Sequence, residues 1–209
     1  MKKTILFVLP LVAAATAFGQ GQINFSTKAA SATLGTVNAP VYGVNPLAPG
    51  TQLRGLDATN GGSANYTGVP LLSGTGFSAA LFGGATPGDL QFVAQSTFRT
   101  QVTLLGHVSP PTGAAPNVPG VVAGGNASIQ LRAWDNLNGT VTTWAAALAN
   151  NLVAKGTSDI FTSLPLGGGT LQPPNLAGLT SFNLTIVPEP GVIALGVLGL
   201  GALLLRRRK

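Results

Sequence analysis

Ile129-Gln130-Leu131-Arg132-Ala133-Trp134 decides the fold. Ile129, Leu131 and Ala133 alternate with Gln130, Arg132 and Trp134, the period of two that sends successive side chains to opposite faces of a strand. The same period recurs on either side. Phe77, Ala79 and Leu81 alternate with Ser78 and Ala80, and Phe182, Leu184 and Ile186 alternate with Ser181, Asn183 and Thr185. Gln91 to Leu105 is a longer run carrying Phe92, Val93, Phe98, Val102 and Leu104, expected as two strands with a bend. Ile23 to Phe25 and Ile160 to Leu164 are further short strands.

Working outward, Asn138-Gly139 predicts a hairpin between Ala127–Trp134 and Val141–Trp144, because both residues tolerate the positive φ of a type I′ turn. Thr143 to Ala149 is the one helical stretch, with Thr142 or Thr143 as its cap and three consecutive alanines. Thr27 to Ser73, Pro110 to Asn126, and Gly167-Gly168-Gly169 with Pro173-Pro174 hold many glycines and prolines without periodicity, and read as long connections. Short strands without a βαβ rhythm give an all-β fold, a single β-sandwich or jelly-roll-like domain with long Gly/Pro-rich loops, and not a parallel sheet.

Composition narrows the function classes. The chain of 209 residues has a formal charge of +6. Lys2, Lys3 and Arg206-Arg207-Arg208-Lys209 carry six of its positive charges and Glu189 one negative. Between the two ends stand Lys28, Arg54, Arg99, Arg132 and Lys155 against Asp57, Asp89, Asp135 and Asp159, a nearly neutral domain with no basic stripe for phosphates. Nucleic acid is therefore not an expected partner. No cysteine is present, so disulfide staples and thiolate chemistry are excluded. Charged residues make up only 8 %, which leaves a surface of Thr, Ser, Asn, Gln and Gly suited to an extracellular matrix.

The two ends read as an export device. Lys2 and Lys3, the apolar stretch Ile5 to Ala15, and the small residues Ala15-Thr16-Ala17 have the order of a secretory signal peptide, residues 1–20. Cleavage is expected after Ala17 or slightly later, at Gly19 or Gln20; the implied partners are the Sec translocon and signal peptidase. The domain then occupies residues 21–186. Near the C-terminus Val187-Pro188-Glu189-Pro190 precedes an apolar run, 191–205, and the basic tail Arg206, Arg207, Arg208 and Lys209. A helix through those 15 residues reaches about 22 Å against a hydrocarbon core of about 30 Å, a short transmembrane span. The basic tail stays cytoplasmic by the positive-inside bias, so the domain lies outside the inner membrane. Pro188 and Pro190 hold Glu189 on an extended segment that a protease can grip.

Pro-Glu-Pro, a short apolar helix and a terminal Arg-rich cluster together resemble the PEP-CTERM sorting signal of bacteria, over the last 23 residues, 187–209. The resemblance implies that a membrane-embedded exosortase-type transpeptidase cuts near Val187 to Pro190. It also implies a precursor anchored in the inner membrane and then released to the cell surface or an exopolysaccharide matrix. Gln130-Leu131-Arg132-Ala133-Trp134-Asp135, and Phe182 to Val187 running into the Pro-Glu-Pro, look like exported verrucomicrobial proteins that carry this tail. That likeness implies a shared scaffold and no activity.

Inside the domain, His107 is the sole histidine, with no GxSxG elbow to accompany it, and is expected at a loop entry and not as a catalytic base. Four aspartates without a domain glutamate make a poor glycosidase pair. Asp135-Asn136-Leu137-Asn138-Gly139 fails the calcium-loop spacing and reads as turn chemistry, so no metal is expected. Gly74-Thr75-Gly76-Phe77-Ser78-Ala79 matches GxGxxA but leads into a strand, so no dinucleotide or other cofactor is expected. Trp134 and Trp144 flank the expected hairpin and are the candidate sugar-stacking platform, weighed against burial in the core. The functional expectation is a non-enzymatic structural or interaction protein, with a carbohydrate-binding module and then a surface hydrolase as alternatives.

Overall fold

A computed structural model describes residues 19–186. The expected signal peptide up to position 18, with Ala15 and Ala17, and the expected sorting segment 187–209, with the run 191–205 expected to span the membrane, lie outside the described residues. Gly19 is inside them, exposed, its carbonyl accepting the Ala123 amide at 3.2 Å. The described chain is mostly β, and no helix among the described residues is long and apolar enough to cross a membrane.

The strands are β1 (Gln20–Gln22), β2 (Lys28–Ala29), β3 (Val37–Asn38), β4 (Val41–Tyr42), β5 (Phe77–Gly84), β6 (Gln91–Thr97), β7 (Asn117–Val122), β8 (Ser128–Asp135), β9 (Lys155–Thr157), β10 (Phe161–Thr162) and β11 (Phe182–Asn183). One α-helix among the described residues, α1 (Trp144–Ala149), lies between β8 and β9. The frame is a five-stranded antiparallel sheet in which β5 lies between β6 and β8, and β9 and β10 share the far edge of β8. The two strands with the clearest alternation, β5 and β8, pair over their full length from Phe77↔Asp135 to Gly84↔Ser128.

Alternation now acquires a direction. Ala79, Leu81, Ile129, Leu131 and Ala133 face one way into the main core, where they meet Val118 and Val121 of β7, Val41 of β4, and Phe182 and Leu184 around β11. Gly83 shares that face because space is short: a Cβ there would stand 2.8 Å from Ile129 Cδ1 and 3.0 Å from Val118 Cγ1. The opposite face carries Ala80 and Trp134, which pack with Val141, Ala147 and Val153 beneath α1 as a second apolar cluster. A sheet covered on both faces needs apolar residues at both parities, which is why Ala80, Phe82 and Trp134 interrupt the polar positions.

Several expectations are corrected. The turn after β8 forms, but Leu137 and Asn138, with φ of 49° and 55°, are its central pair, one residue earlier than Asn138-Gly139. Gly139 N donates to Asn136 O at 3.0 Å, and Asn136 Nδ2 ties the turn to Thr75 O and Ser78 Oγ. The returning strand is β9 and not Val141–Trp144, because Thr143 starts a helix first. Its Oγ1 accepts the Ala146 amide at 3.2 Å, the N-cap arrangement. Gln91–Leu105 yields one strand, β6; Val102–Leu104 is a 3₁₀ turn. Ile23 and Phe25 are buried but follow β1. Pro110–Asn126 contains β7, which accommodates Pro119 and Gly120 (φ 71°) in an irregular pairing with β1. β11 pairs with β4 in parallel over two residues, a local exception in an antiparallel fold.

The stretch from Thr27 to Ser73, expected as one long connection, contains β2, β3 and β4 and is pinned from both sides. Tyr42 and Tyr66 stack with centroids 4.0 Å apart and planes 5° from parallel. Asn183, fully buried in β11, accepts the Leu53 amide and donates to the carbonyls of Thr51 and Leu184. A polar side chain with that many partners serves as a clip, since each buried group left unpaired would be costly.

Candidate functional site

The outer face of the five-stranded sheet is laid out in rows. Thr97, Ser78, Trp134 and Lys155 form one row; Gln95, Ala80, Arg132 and Thr157 the next; Phe92, Phe82 and Gln130 the third. The third row depends on a bulge. Leu81 faces Ala94 while Phe82 faces Phe92, so Val93 is the extra residue, and Phe92 lands on the outer face beside Phe82. Regular pairing would have placed Phe92 opposite Gly83, toward the core.

Over these rows lies Trp144, the first residue of α1. Ala80 is small and leaves a groove of about 380 Å³, walled by Phe82, Phe92, Gln95, Thr143, Trp144 and Ala145. That is the lower part of the size range of ligand clefts, roughly 300–1,000 Å³. Phe92 is 56 % exposed, and its ring meets Phe82 edge-on at 6.1 Å.

Arg132 stands beside the groove, over the ring of Phe82, one of its walls. Its Cζ lies 3.9 Å from the Phe82 ring centroid and 5.7 Å from that of Trp144. Nε donates to Gln130 Oε1 at 2.9 Å, and Gln130 Nε2 donates in turn to Ser158 O at 3.1 Å. Partial burial among the rings lowers the guanidinium pKa from its ordinary value. Neither Nη donates to an acceptor among the described residues, and neither is buried. The ion pair among the described residues is elsewhere, Arg54 Nη1 to Asp159 Oδ1 at 3.4 Å.

Of the two tryptophans weighed as a platform against burial in the core, the structure leaves one at the surface. Trp134 is fully buried, its indole N–H donating to Val141 O at 2.8 Å; with no ring face open to solvent it is a core residue. Trp144 is half-buried, 5.9 Å from Trp134 between ring centroids, and lines the groove. Phe82, Phe92, Gln95 and Arg132 were not singled out by sequence reasoning. The available signal was that Ala80, Phe82 and Trp134 occupy positions a one-sided sheet would give to polar residues.

No family model, no curated protein and no solved structure matches this chain. Its chemistry is therefore read from the groove and from the other candidates in turn.

His107 is buried, and burial together with Lys28 and Arg99 pushes its pKa down to about 4. Its Nδ1 sits 3.2 Å from Thr27 Oγ1, which also accepts the Val108 amide at 3.0 Å. A base needs an acid to orient it, and the charges that reach this imidazole are cationic. Each of these aspartates already has a partner: Asp57 with Tyr42 and Asn60, Asp89 with Thr86, Asp135 with the Leu137 amide, and Asp159 with Arg54. Asp135 and Asn136 oxygens accept amide hydrogens within their own turn. Among the described residues no three His, Asp or Glu side chains gather as a metal site. Gly74-Thr75-Gly76 leads into β5 and not into a helix. A smaller cleft of about 260 Å³ lies by Tyr42, Asp57 and Tyr66. There Tyr42 Oη donates to Asp57 Oδ2 at 3.0 Å; burial and that carboxylate raise its pKa to about 12. Burial raises Tyr66 as well, and its hydroxyl is held by Gly55 O and Ser181 O.

Proposed function

We propose that this chain is an exported structural or interaction protein, sorted through a PEP-CTERM signal and delivered to the cell surface or an extracellular matrix. The observation that carries this reading is the order of the sequence: Lys2-Lys3 and an apolar leader, a nearly neutral domain, then Pro188-Glu189-Pro190, an apolar run and Arg206 to Lys209. In this reading the Sec translocon and signal peptidase release the N-terminus near Ala17 to Gln20. The segment 191–205 holds the precursor in the inner membrane, and an exosortase-type transpeptidase cuts near Val187 to Pro190. The domain is a β-sandwich, the five-stranded sheet forming one layer and the pairs β1–β7 and β4–β11 contributing to the cover on its core face. In this reading the domain does not act as an enzyme, which the burial of His107 beside Lys28 and Arg99 supports.

Mass spectrometry of the mature protein from its native host tests the sorting. The expected result is an N-terminus at residues 18 to 21 and no peptide from Val192 to Arg206. An intact C-terminus throughout the mature pool would reduce the tail to a simple anchor. A carbohydrate-binding role is favoured as a second reading by one feature, the aromatic groove of Phe82, Phe92 and Trp144 on the outer face of the sheet.

A further inference from the structure

We propose that the outer-face groove binds an acidic polysaccharide, a uronate-bearing chain, with one sugar ring against Phe92 and Trp144 and a carboxylate on Arg132. The proposal rests on the carbohydrate-binding reading and adds the charge of the ligand and the residue that reads it.

A pyranose has an apolar C–H face and a polar rim. The groove offers the matching pair of surfaces: ring faces and edges from Phe82, Phe92 and Trp144 over the small floor of Ala80, with the Gln95 amide and Thr143 hydroxyl at its margin. The lining is chiefly apolar and Thr143 Oγ1 already accepts the Ala146 amide, so the groove meets the C–H face of the sugar ring and leaves its polar rim to the margin.

The sign of the charge follows from Arg132. A guanidinium stacked at 3.9 Å on Phe82 is already fixed in plane and partly stripped of water. Gln130 and Ser158 fix its Nε side. The two Nη groups are not fully buried and have no acceptor and no carboxylate among the described residues. That leaves a pre-oriented two-pronged donor beside an aromatic groove, in a domain whose cations and anions otherwise nearly cancel. Planar forks of this kind match carboxylates in a bidentate manner, which an ammonium cannot reproduce. Because Arg132 lies over Phe82 and is not among the residues that line the groove, the proposed ligand spans at least two sugar units, one in the groove and the neighbour presenting the carboxylate. The ligand is therefore an oligosaccharide and not a free monosaccharide.

The test is isothermal titration calorimetry of the full chain, purified in a detergent without a sugar head group. The probes are oligogalacturonate, its fully methyl-esterified form and maltoheptaose. Oligogalacturonate is expected to bind about tenfold or more tighter than the ester, the scale of a charge-assisted hydrogen-bonded contact. Arg132→Gln and Arg132→Lys should each erase that difference, and Trp144→Ala should remove binding of the acid and the ester alike. The comparison of acid with ester needs no variant, so it stands even if Arg132→Gln misfolds. Equal affinity for acid and ester overturns the role of Arg132 while leaving a neutral-sugar groove intact. Absence of binding to all three probes overturns the carbohydrate reading itself. Light scattering on the same sample covers the other occupant: self-association abolished by Phe92→Ser would assign the groove to a second copy of the chain and overturn the proposal.

Discussion

The two tryptophans give the sharpest test, because the fold assigns them opposite roles. Trp134→Phe keeps an aromatic ring in the second apolar cluster but removes the indole N–H that donates to Val141 O at 2.8 Å, inside a site with no solvent access. Val141 is itself buried, so its carbonyl loses its partner. An orphaned buried acceptor costs about 1–3 kcal/mol, and the smaller ring leaves a void that adds about 1 kcal/mol. The expected loss is therefore about 3 kcal/mol, which in a domain of this size lowers Tm by about 6–12 °C. Trp144→Phe, at a half-buried groove wall, should stay within about 3 °C of the parent by the same scaling. Thermal unfolding followed by far-ultraviolet circular dichroism measures both. Tryptophan emission supplies the second readout: removing Trp144 should leave a blue-shifted spectrum from the buried ring, and removing Trp134 a red-shifted one. A Trp134→Phe protein with the parental Tm, or one that retains the blue-shifted component, would refute the assignment of Trp134 to the core.

Acid should weaken the fold through His107, whose pKa of about 4 lies below the ordinary 6.5. The unfolded chain binds the extra proton, so this contribution is intact above pH 6.5 and is lost as pH falls toward 4. The full shift corresponds to somewhat over 3 kcal/mol; with solvent screening in a loop site, about 2 kcal/mol is expected between pH 7 and 4.5. Urea titrations at the two pH values measure it, and His107→Gln should flatten that part of the profile. Asn183→Leu should cost about 2–4 kcal/mol, because the Leu53 amide and the Thr51 and Leu184 carbonyls lose their buried partner; a urea midpoint close to the parent would contradict the clip. Gly106→Ala should cost about 2–4 kcal/mol, since φ is +77° and a Cβ would stand 3.0 Å from Val41 O and 2.9 Å from Pro40 Cβ. Differential scanning calorimetry decides that case, and an unchanged transition would mean that the loop relaxes freely.

The candidate site was legible only in fragments. Trp144 was noticed because aromatic residues near a turn are conspicuous, and Thr143 because a capping hydroxyl ahead of three alanines acts over one helical turn. Phe92 was read simply as part of a strand run. Its outward direction rests on one bulged residue, Val93, and a single extra residue reverses which face a side chain takes. Arg132 looked like an ordinary polar position on β8 until Phe82 and Trp144, distant in sequence, were placed against it.

By itself the sequence determined what local chemistry and composition can determine: strands at β5 and β8 from their period, the cap of α1, the near-neutral domain between two charged ends, and the expectation of export. Those properties depend on residues close along the chain, or on sums over it. Only the tertiary structure decided that both faces of the central sheet are covered and that Trp134 is core while Trp144 is surface. It alone paired β8 with β9 across a helix and set β11 parallel to β4. These are choices among long-range partners of similar local merit. Packing and buried hydrogen bonds, such as those joining Asn183 to Leu53 and Thr51, select among them, and no single stretch of sequence contains both halves of such a contact.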